Sequence, residues 1–78
     1  MRELTFREVD DARALGEMSI EMPELEGTML CVESNEPDWT AGCWYSIYGI
    51  MFGSVIISSN NSDYAFMNWD DFEQAFGG

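Results

Sequence analysis

The chain is 78 residues long, 46% hydrophobic and 14% aromatic, with a formal net charge of −12 at pH 7. This length predicts a single domain, residues 1–78, and the apolar content is too high for a disordered acidic tail. The charge arises from 15 acidic residues against three arginines, with no lysine and no histidine, and such a surface repels polyanions, which excludes direct nucleic-acid binding.

The N-terminal residues predict a helix over 6–16. Thr5 and Glu8 fit a capping box, in which the threonine hydroxyl and the glutamate carboxylate each accept a backbone N–H of the other residue. Gly16 is expected to end the helix. An alternative places residues 3–6 in an edge strand before the helix. Apolar residues recur at helical spacing at Val9, Ala12, Ala14 or Leu15, and Met18.

Two short strands are predicted next. Apolar residues alternate with polar ones over 18–22, which is typical of a half-buried strand, and Pro23 stops it. Residues 28–33 form a second apolar run of strand length. A polar loop over 34–38 follows, with asparagine and proline as turn residues.

The stretch 39–62 contains no charged residue and is predicted to form the central sheet. It is too long for one strand, so we expect two, over 43–48 and 50–58. Gly49 and Gly53 are interpreted as a bulge or as points where backbones approach closely.

The C-terminal part is predicted to be turn, strand and helix. Residues 59–63 are rich in Ser and Asn, which favour turns, and 64–68 return as a strand. Asn68 is expected to cap a final helix over 69–76, which Gly77 and Gly78 end. The whole order predicts an α+β fold: a small, mostly antiparallel sheet of four or five strands, with an N-terminal and a C-terminal helix covering one face.

The uncharged stretch has an alternative interpretation as a membrane span, because Gly49 and Gly53 are spaced as in helix-dimer motifs. Its strongly apolar part is only about 15 residues, short of the roughly 20 that a bilayer requires. No flanking Lys or Arg sets an orientation. A chain without membrane contact is therefore favoured.

Cys31 and Cys43 allow at most one disulfide. Two buried free thiols in a cytosolic protein are the favoured interpretation, because free cysteine packs as a small hydrophobe. The N-terminal segment lacks the apolar core of a signal peptide, so the protein is expected in the cytoplasm.

The composition argues against an enzyme. Without histidine or lysine, a nucleophilic serine or Cys43 has no usual base to activate it. A carboxylate pair for glycoside hydrolysis remains an alternative, but the surplus of acids makes any chosen pair arbitrary. Two cysteines cannot complete a zinc site, and neither 33–38 nor 70–71 has the pattern of a calcium loop. We therefore predict no catalytic residue, no metal and no cofactor.

The distribution of charge is the most informative feature. All bases lie in the first 13 residues, and four of the 15 acids precede Ala14, which leaves 11 acids and no base in the remainder. Those acids have no ion-pairing partner within that segment. A generic acidic protein, solubilised by its charge, is one interpretation. The other is a protein that finds its cations on another molecule.

Acids at alternate strand positions lie about 6.6 Å apart, and helix neighbours at i,i+4 about 5–6 Å apart. Both spacings are near that of successive phosphates on one strand, so carboxylates on a rigid fold can occupy a site built for nucleic acid. Trp39 is added as a possible aromatic anchor. The predicted partner-binding residues are Glu24, Glu26, Glu33, Glu36, Asp38, Trp39, Asp63, Asp70, Asp71 and Glu73.

In size, acidity and compact α+β pattern, the whole chain resembles the small phage-encoded inhibitors that mimic nucleic acid, of anti-CRISPR and anti-restriction type. The resemblance is compositional and assigns no role to individual residues. It implies a host-cell cytoplasmic inhibitor that occupies the basic groove of a CRISPR effector or restriction enzyme and helps to evade host defence. The alternative is an immunity- or antitoxin-type protein that neutralises a basic toxin or nuclease.

Overall fold

The computed structural model describes residues 2–18 and 25–77. The predicted α+β class is confirmed: within this part of the chain, one helix precedes and one helix follows the strands of a four-stranded antiparallel sheet. In chain order the elements are α1 (Phe6–Met18), β1 (Gly27–Leu30), β2 (Trp44–Met51), β3 (Ser54–Ile57), β4 (Ala65–Asn68) and α2 (Trp69–Phe76).

The sheet is a meander of order β1-β2-β3-β4, in which every neighbouring pair is antiparallel. The alternative edge strand near the N-terminus is present only as a single parallel bridge between Glu3 and Thr28. The Leu4 N–H donates to the Thr28 carbonyl at 2.8 Å, and the Thr28 N–H donates to the Arg2 carbonyl at 2.9 Å. These bonds occupy part of the otherwise open edge of β1.

Helix α1 begins as predicted and ends later than predicted. The capping box is confirmed, with the Glu8 N–H donating to Thr5 Oγ1 at 3.2 Å and the Thr5 N–H donating to Glu8 Oε1 at 3.4 Å. The expectation that Gly16 ends the helix is wrong, because the helix runs to Met18. A glycine costs only about 1 kcal/mol in a helix, less than neighbouring contacts can supply. Met18 is thus helical rather than the start of a strand, and residues 19–24 lie outside the described ranges.

The break between the two central strands was predicted at Gly49, but the structure places it at Phe52 and Gly53. Strand β2 continues through Gly49 to Met51. Its pairing with β3 shifts register at a bulge between Ile47 and Gly49 and then continues to the turn. The β2–β3 turn consists of Phe52 and Gly53, both with positive φ, 52° and 76°. Positive φ at both positions is what a two-residue type I′ hairpin turn requires.

Helix α2 agrees with its predicted bounds. Asn68 caps it, with Oδ1 accepting the Asp71 N–H at 2.9 Å, and the Gly77 N–H donates to the Glu73 carbonyl at 2.9 Å. A Cβ at Gly77 would lie 2.5 Å from that carbonyl oxygen, so the chain needs glycine there to leave the helix. Gly78 lies outside the described residues.

Both helices pack on one face of the sheet, α1 against β2 and α2 against β3 and β4. Phe72 is fully buried at the centre, with its ring centroid 5.9 Å from Phe6 and 4.9 Å from Phe76. Inward-facing residues of the strands, such as Ile47 and Ile57, complete this core. In the described part of the chain, no helix has the length and apolarity that crossing a bilayer would take.

The two cysteines differ in environment. Both are free thiols, but Cys31 is buried and Cys43 is exposed, so the expectation of two buried thiols is wrong for Cys43. Their backbones are hydrogen-bonded, with the Cys31 N–H donating to the Cys43 carbonyl at 2.9 Å.

Candidate acidic groove

The segment after β1 is attached to the C-terminal end of α2. The N–H groups of Val32 and Glu33 both donate to the Ala75 carbonyl, at 2.8 and 3.2 Å. The last carbonyls of a helix have no partner within the helix, so these bonds satisfy one of them. The acidic loop after Glu33 is thereby placed beside α2.

Hydrogen bonds hold this loop in one conformation. Ser34 Oγ accepts the Glu36 N–H at 3.2 Å and lies 2.5 Å from the Trp39 carbonyl oxygen. The Asn60 N–H donates to the Asp38 carbonyl at 2.7 Å. The loop is therefore held by internal hydrogen bonds and by a hydrogen bond from the β3–β4 connection. These bonds restrict the positions of its carboxylates.

Between this loop and α2 lies a groove of about 420 Å³. We call it the acidic groove; its described lining residues are Glu33, Ser34, Asn35, Glu36, Trp39, Met67, Asp71, Glu73, Gln74, Ala75 and Gly77. Each charged residue among them is acidic. Two clusters that are far apart in the sequence, at 33–36 and 71–73, thus face a common space.

Asp71 is held in place at the α2 side of the groove. Its Oδ2 accepts a hydrogen bond from Asn68 Nδ2 at 3.0 Å, and its own N–H donates back to Asn68. The N-terminal end of a helix is electropositive, so the carboxylate is also favoured there by the helix dipole. It is a fixed negative charge rather than a mobile one.

The groove gathers half of the predicted partner-binding residues. Glu33, Glu36, Asp71 and Glu73 supply carboxylates, and Trp39 is also a lining residue. The other predicted residues do not line the groove. Glu26 precedes β1, Asp63 precedes β4, and Asp70 is exposed on α2. Asp38 accepts a hydrogen bond from Asn61, and Glu24 lies outside the described residues.

Trp39, predicted as a possible aromatic anchor, is a buried core residue. Its side chain is 6% exposed, and its indole N–H donates to the Ser58 carbonyl at 2.8 Å. That bond satisfies its polar atom inside the fold. Neutral lining residues such as Ser34 and Met67 were missed, because no local pattern in the sequence indicates that they meet.

The arginines that form ion pairs do so at α1, away from the groove. Arg2 pairs with Glu8, and Arg13 Nη2 lies 3.0 Å from Asp10 Oδ1. The hydrogen bond from Arg2 holds the pKa of Glu8 below its usual value, against the opposing effect of desolvation, and the hydrogen bonds from Thr5 and the charge of Arg2 lower it further. Among the described residues, no group of three or more potential metal ligands comes together. The groove therefore brings together four carboxylates, of which that of Asp71 is held by a hydrogen bond from Asn68.

No protein-family model matches this chain, and neither a curated protein nor a solved structure does so.

Proposed function

We propose that this protein is a stoichiometric inhibitor that uses the acidic groove to occupy the basic, nucleic-acid-binding surface of an effector protein. The observation that carries the proposal is the convergence of Glu33, Glu36, Asp71 and Glu73 on one groove whose charged described residues are all acidic. It acts as a binding protein and not as an enzyme.

Electrostatics supports this proposal. Like charges brought together destabilise a compact fold, and here the net charge of −12 already does so. Lysine and arginine side chains of a nucleic-acid-binding cleft would relieve the repulsion, and opposite fields steer association towards the diffusion limit at low salt. The carboxylates would take the places of backbone phosphates.

The target class comes from composition. Small size, strong acidity and a compact α+β fold are shared with anti-CRISPR and anti-restriction inhibitors carried by phages. The proposed partner is therefore a CRISPR effector or restriction enzyme in the host cytoplasm, with neither direct nucleic-acid binding nor membrane attachment.

Displacement of DNA tests this proposal. A fluorescein-labelled 20-bp duplex is bound to purified guide-loaded CRISPR effectors and, without magnesium, to restriction endonucleases, and anisotropy is followed as the protein is added. With its target, we expect release near a 1:1 ratio and an inhibitor affinity that falls steeply with salt, because exposed charges are screened.

Two variants with equal net charge separate the groove from the overall charge. Glu33→Gln with Glu73→Gln alters the groove, whereas Glu3→Gln with Asp11→Asn removes two exposed acids near or on α1. The groove variant should lose at least about tenfold in affinity, corresponding to about 1.4 kcal/mol, and the other should not. Equal losses in both variants, or an affinity independent of salt, would contradict the proposal.

An immunity- or antitoxin-type protein against a basic toxin is the second candidate. The concave form of the groove favours it, since a concave site fits one protruding basic segment better than a flat cleft. Such a protein would neutralise a single basic nuclease and would not release DNA from any member of the effector panel.

A further inference from the structure

The face of the sheet opposite the helices carries a patch of large apolar side chains. The four strands contain no charged residue, although the chain as a whole is strongly acidic. Alternation along the strands directs one set of side chains to the core and the other to this open face. We call the second set the aromatic face; its members are Leu30, Trp44, Tyr48, Ile56, Tyr64 and Phe66.

Strand register makes these residues neighbours. Leu30 pairs with Trp44 across β1 and β2, and Ile56 pairs with Phe66 across β3 and β4. The Tyr48 and Tyr64 rings approach to 4.6 Å between centroids. The face therefore carries three pairs of neighbouring large side chains and not six isolated exposed residues.

The exposure of this surface is large. Trp44 is 51% exposed, and Tyr64 and Phe66 are each 66% exposed. Tryptophan and tyrosine are enriched among the residues that dominate binding energy in protein interfaces. Contiguous exposed apolar patches in a small protein mark interaction sites.

Phe52 adds a second, independent indication. It is 98% exposed at the β2–β3 turn and has a positive φ, 52°. Asparagine, aspartate or glycine is preferred at that turn position, and a bulky residue there is strained. A fully exposed phenylalanine in a strained position is not buried in its own fold, so a contact with another molecule would give it a role.

The negative charge of the protein limits which molecules can bind the aromatic face. Glu26 directly precedes β1, Asp63 directly precedes Tyr64, and both are exposed. A second copy of the chain would bring a further charge of −12 to this face, and a polyanion or anionic membrane would be repelled. A cationic protein segment instead complements the net charge of −12 and the exposed carboxylates that adjoin β1 and Tyr64 in the chain.

Arginine suits the aromatic rings better than lysine. Its planar guanidinium stacks on aromatic faces and is more weakly hydrated. The chain itself uses this contact, since the Arg13 guanidinium carbon lies 4.6 Å from the centroid of the Trp69 ring.

We propose that the aromatic face, together with Phe52, is a docking surface for a cationic protein segment that combines arginine with apolar side chains. The inference is independent of the proposed inhibitor function, because it uses the face opposite the helices and not the groove between the 33–36 loop and α2. Either site can fail its test while the other passes.

Three synthetic 12-residue peptides test the surface. The first contains four arginines, four leucines and four glycines; the second replaces arginine with lysine; the third replaces leucine with glycine. Binding is measured by tryptophan fluorescence and mapped by amide NMR shifts. We expect shifts in β2, β4 and the Phe52 turn with the first peptide, and at least about fivefold weaker binding of the other two.

Matched variants assign the binding to the face. Trp44→Ser with Phe66→Ser should weaken binding of the first peptide at least about tenfold, with the fold confirmed by circular dichroism. Leu15→Ser removes an apolar residue of comparable exposure on α1 and should change binding less than about twofold. The same small change is expected for Glu3→Gln with Asp11→Asn, which removes two exposed acids near or on α1.

Three results would overturn the inference. Shifts confined to the acidic groove would assign the peptide to that site. Sedimentation showing a dimer that the Trp44 and Phe66 substitutions dissociate would make a second copy the occupant. Binding to anionic phosphatidylglycerol vesicles that depends on the same residues would make it a membrane surface.

Discussion

Cys31 and Cys43 show how much the surroundings of a side chain matter at the scale of single residues. Their backbones are joined by one hydrogen bond, yet one thiol lies in the core and the other faces solvent. Burial raises the pKa of the Cys31 thiol, against the opposing effect of its bond to the Glu33 carbonyl. The nearby Cys43 raises it further.

This difference predicts two rates of thiol modification. In the native protein at pH 8, a disulfide reagent such as DTNB should react quickly with Cys43, whereas Cys31 reacts only as the protein unfolds, because the thiolate is the nucleophile. Cys43→Ser should remove the fast phase and Cys31→Ser the slow one. Two fast phases in the native state would contradict the buried position of Cys31.

The same pKa shift has a defined sign in stability. A thiol whose folded pKa is raised above its ordinary value of 9.0 favours the folded state while it is neutral. Its contribution is complete below that ordinary value and is lost as the pH rises through the folded pKa. Cys31→Ala should therefore reduce the alkaline loss of stability.

At the scale of elements, the β2–β3 hairpin combines a bulge with a strained turn. Gly49 stands at the bulge, and the turn itself is formed by Phe52 and Gly53. Glycine adopts positive φ without steric cost, whereas phenylalanine does not. The hairpin is therefore less stable than its topology allows.

Replacing the strained residue should stabilise the hairpin. Phe52→Asn gives the Asn-Gly pair that type I′ turns prefer, and we expect a gain of about 1 kcal/mol in the free energy of unfolding. Urea denaturation measures this free energy, with Phe66→Asn as a control at another exposed phenylalanine. A loss of stability in Phe52→Asn would show that the ring makes a favourable contact in its own fold.

At the scale of the whole molecule, the acids that follow Arg13 act against folding. Arg2 and Arg13 form ion pairs with Glu8 and Asp10 of α1, whereas the groove is lined by carboxylates of like charge, which repel each other. Salt screens exposed charges, with a Debye length of about 30 Å at 0.01 M and about 8 Å at 0.15 M. The repulsion is therefore largest at low ionic strength.

Salt should accordingly stabilise the fold and weaken complex formation. Raising NaCl from 0.01 to 0.15 M should increase Tm by several degrees, as about 1 kcal/mol corresponds to about 4–8 °C in a domain of this size. Thermal unfolding by circular dichroism measures it, and Glu3→Gln with Asp11→Asn should show a smaller increase. A Tm that is unchanged or falls would mean that the acids do not destabilise the folded state.

The sequence by itself determined the features that depend on neighbours three or four residues apart. The capping box of Thr5 and Glu8, the Asn68 cap and the bounds of α2 all follow from such local hydrogen bonds and spacing. The α+β class followed as well, because hydrophobic periodicity separates helices from strands. The acidity of the surface was a matter of composition alone.

Only the tertiary structure decided the strand limits, the groove and the open face. A bulge at Gly49 moves the turn, because pairing with β3 can continue past an irregular residue. The groove exists because Val32 and Glu33 bond to Ala75, a contact between distant parts of the chain. Alternation in the strands indicates two faces, but the packing of α1 and α2 determines which face is covered and leaves Trp44 and Phe66 in solvent.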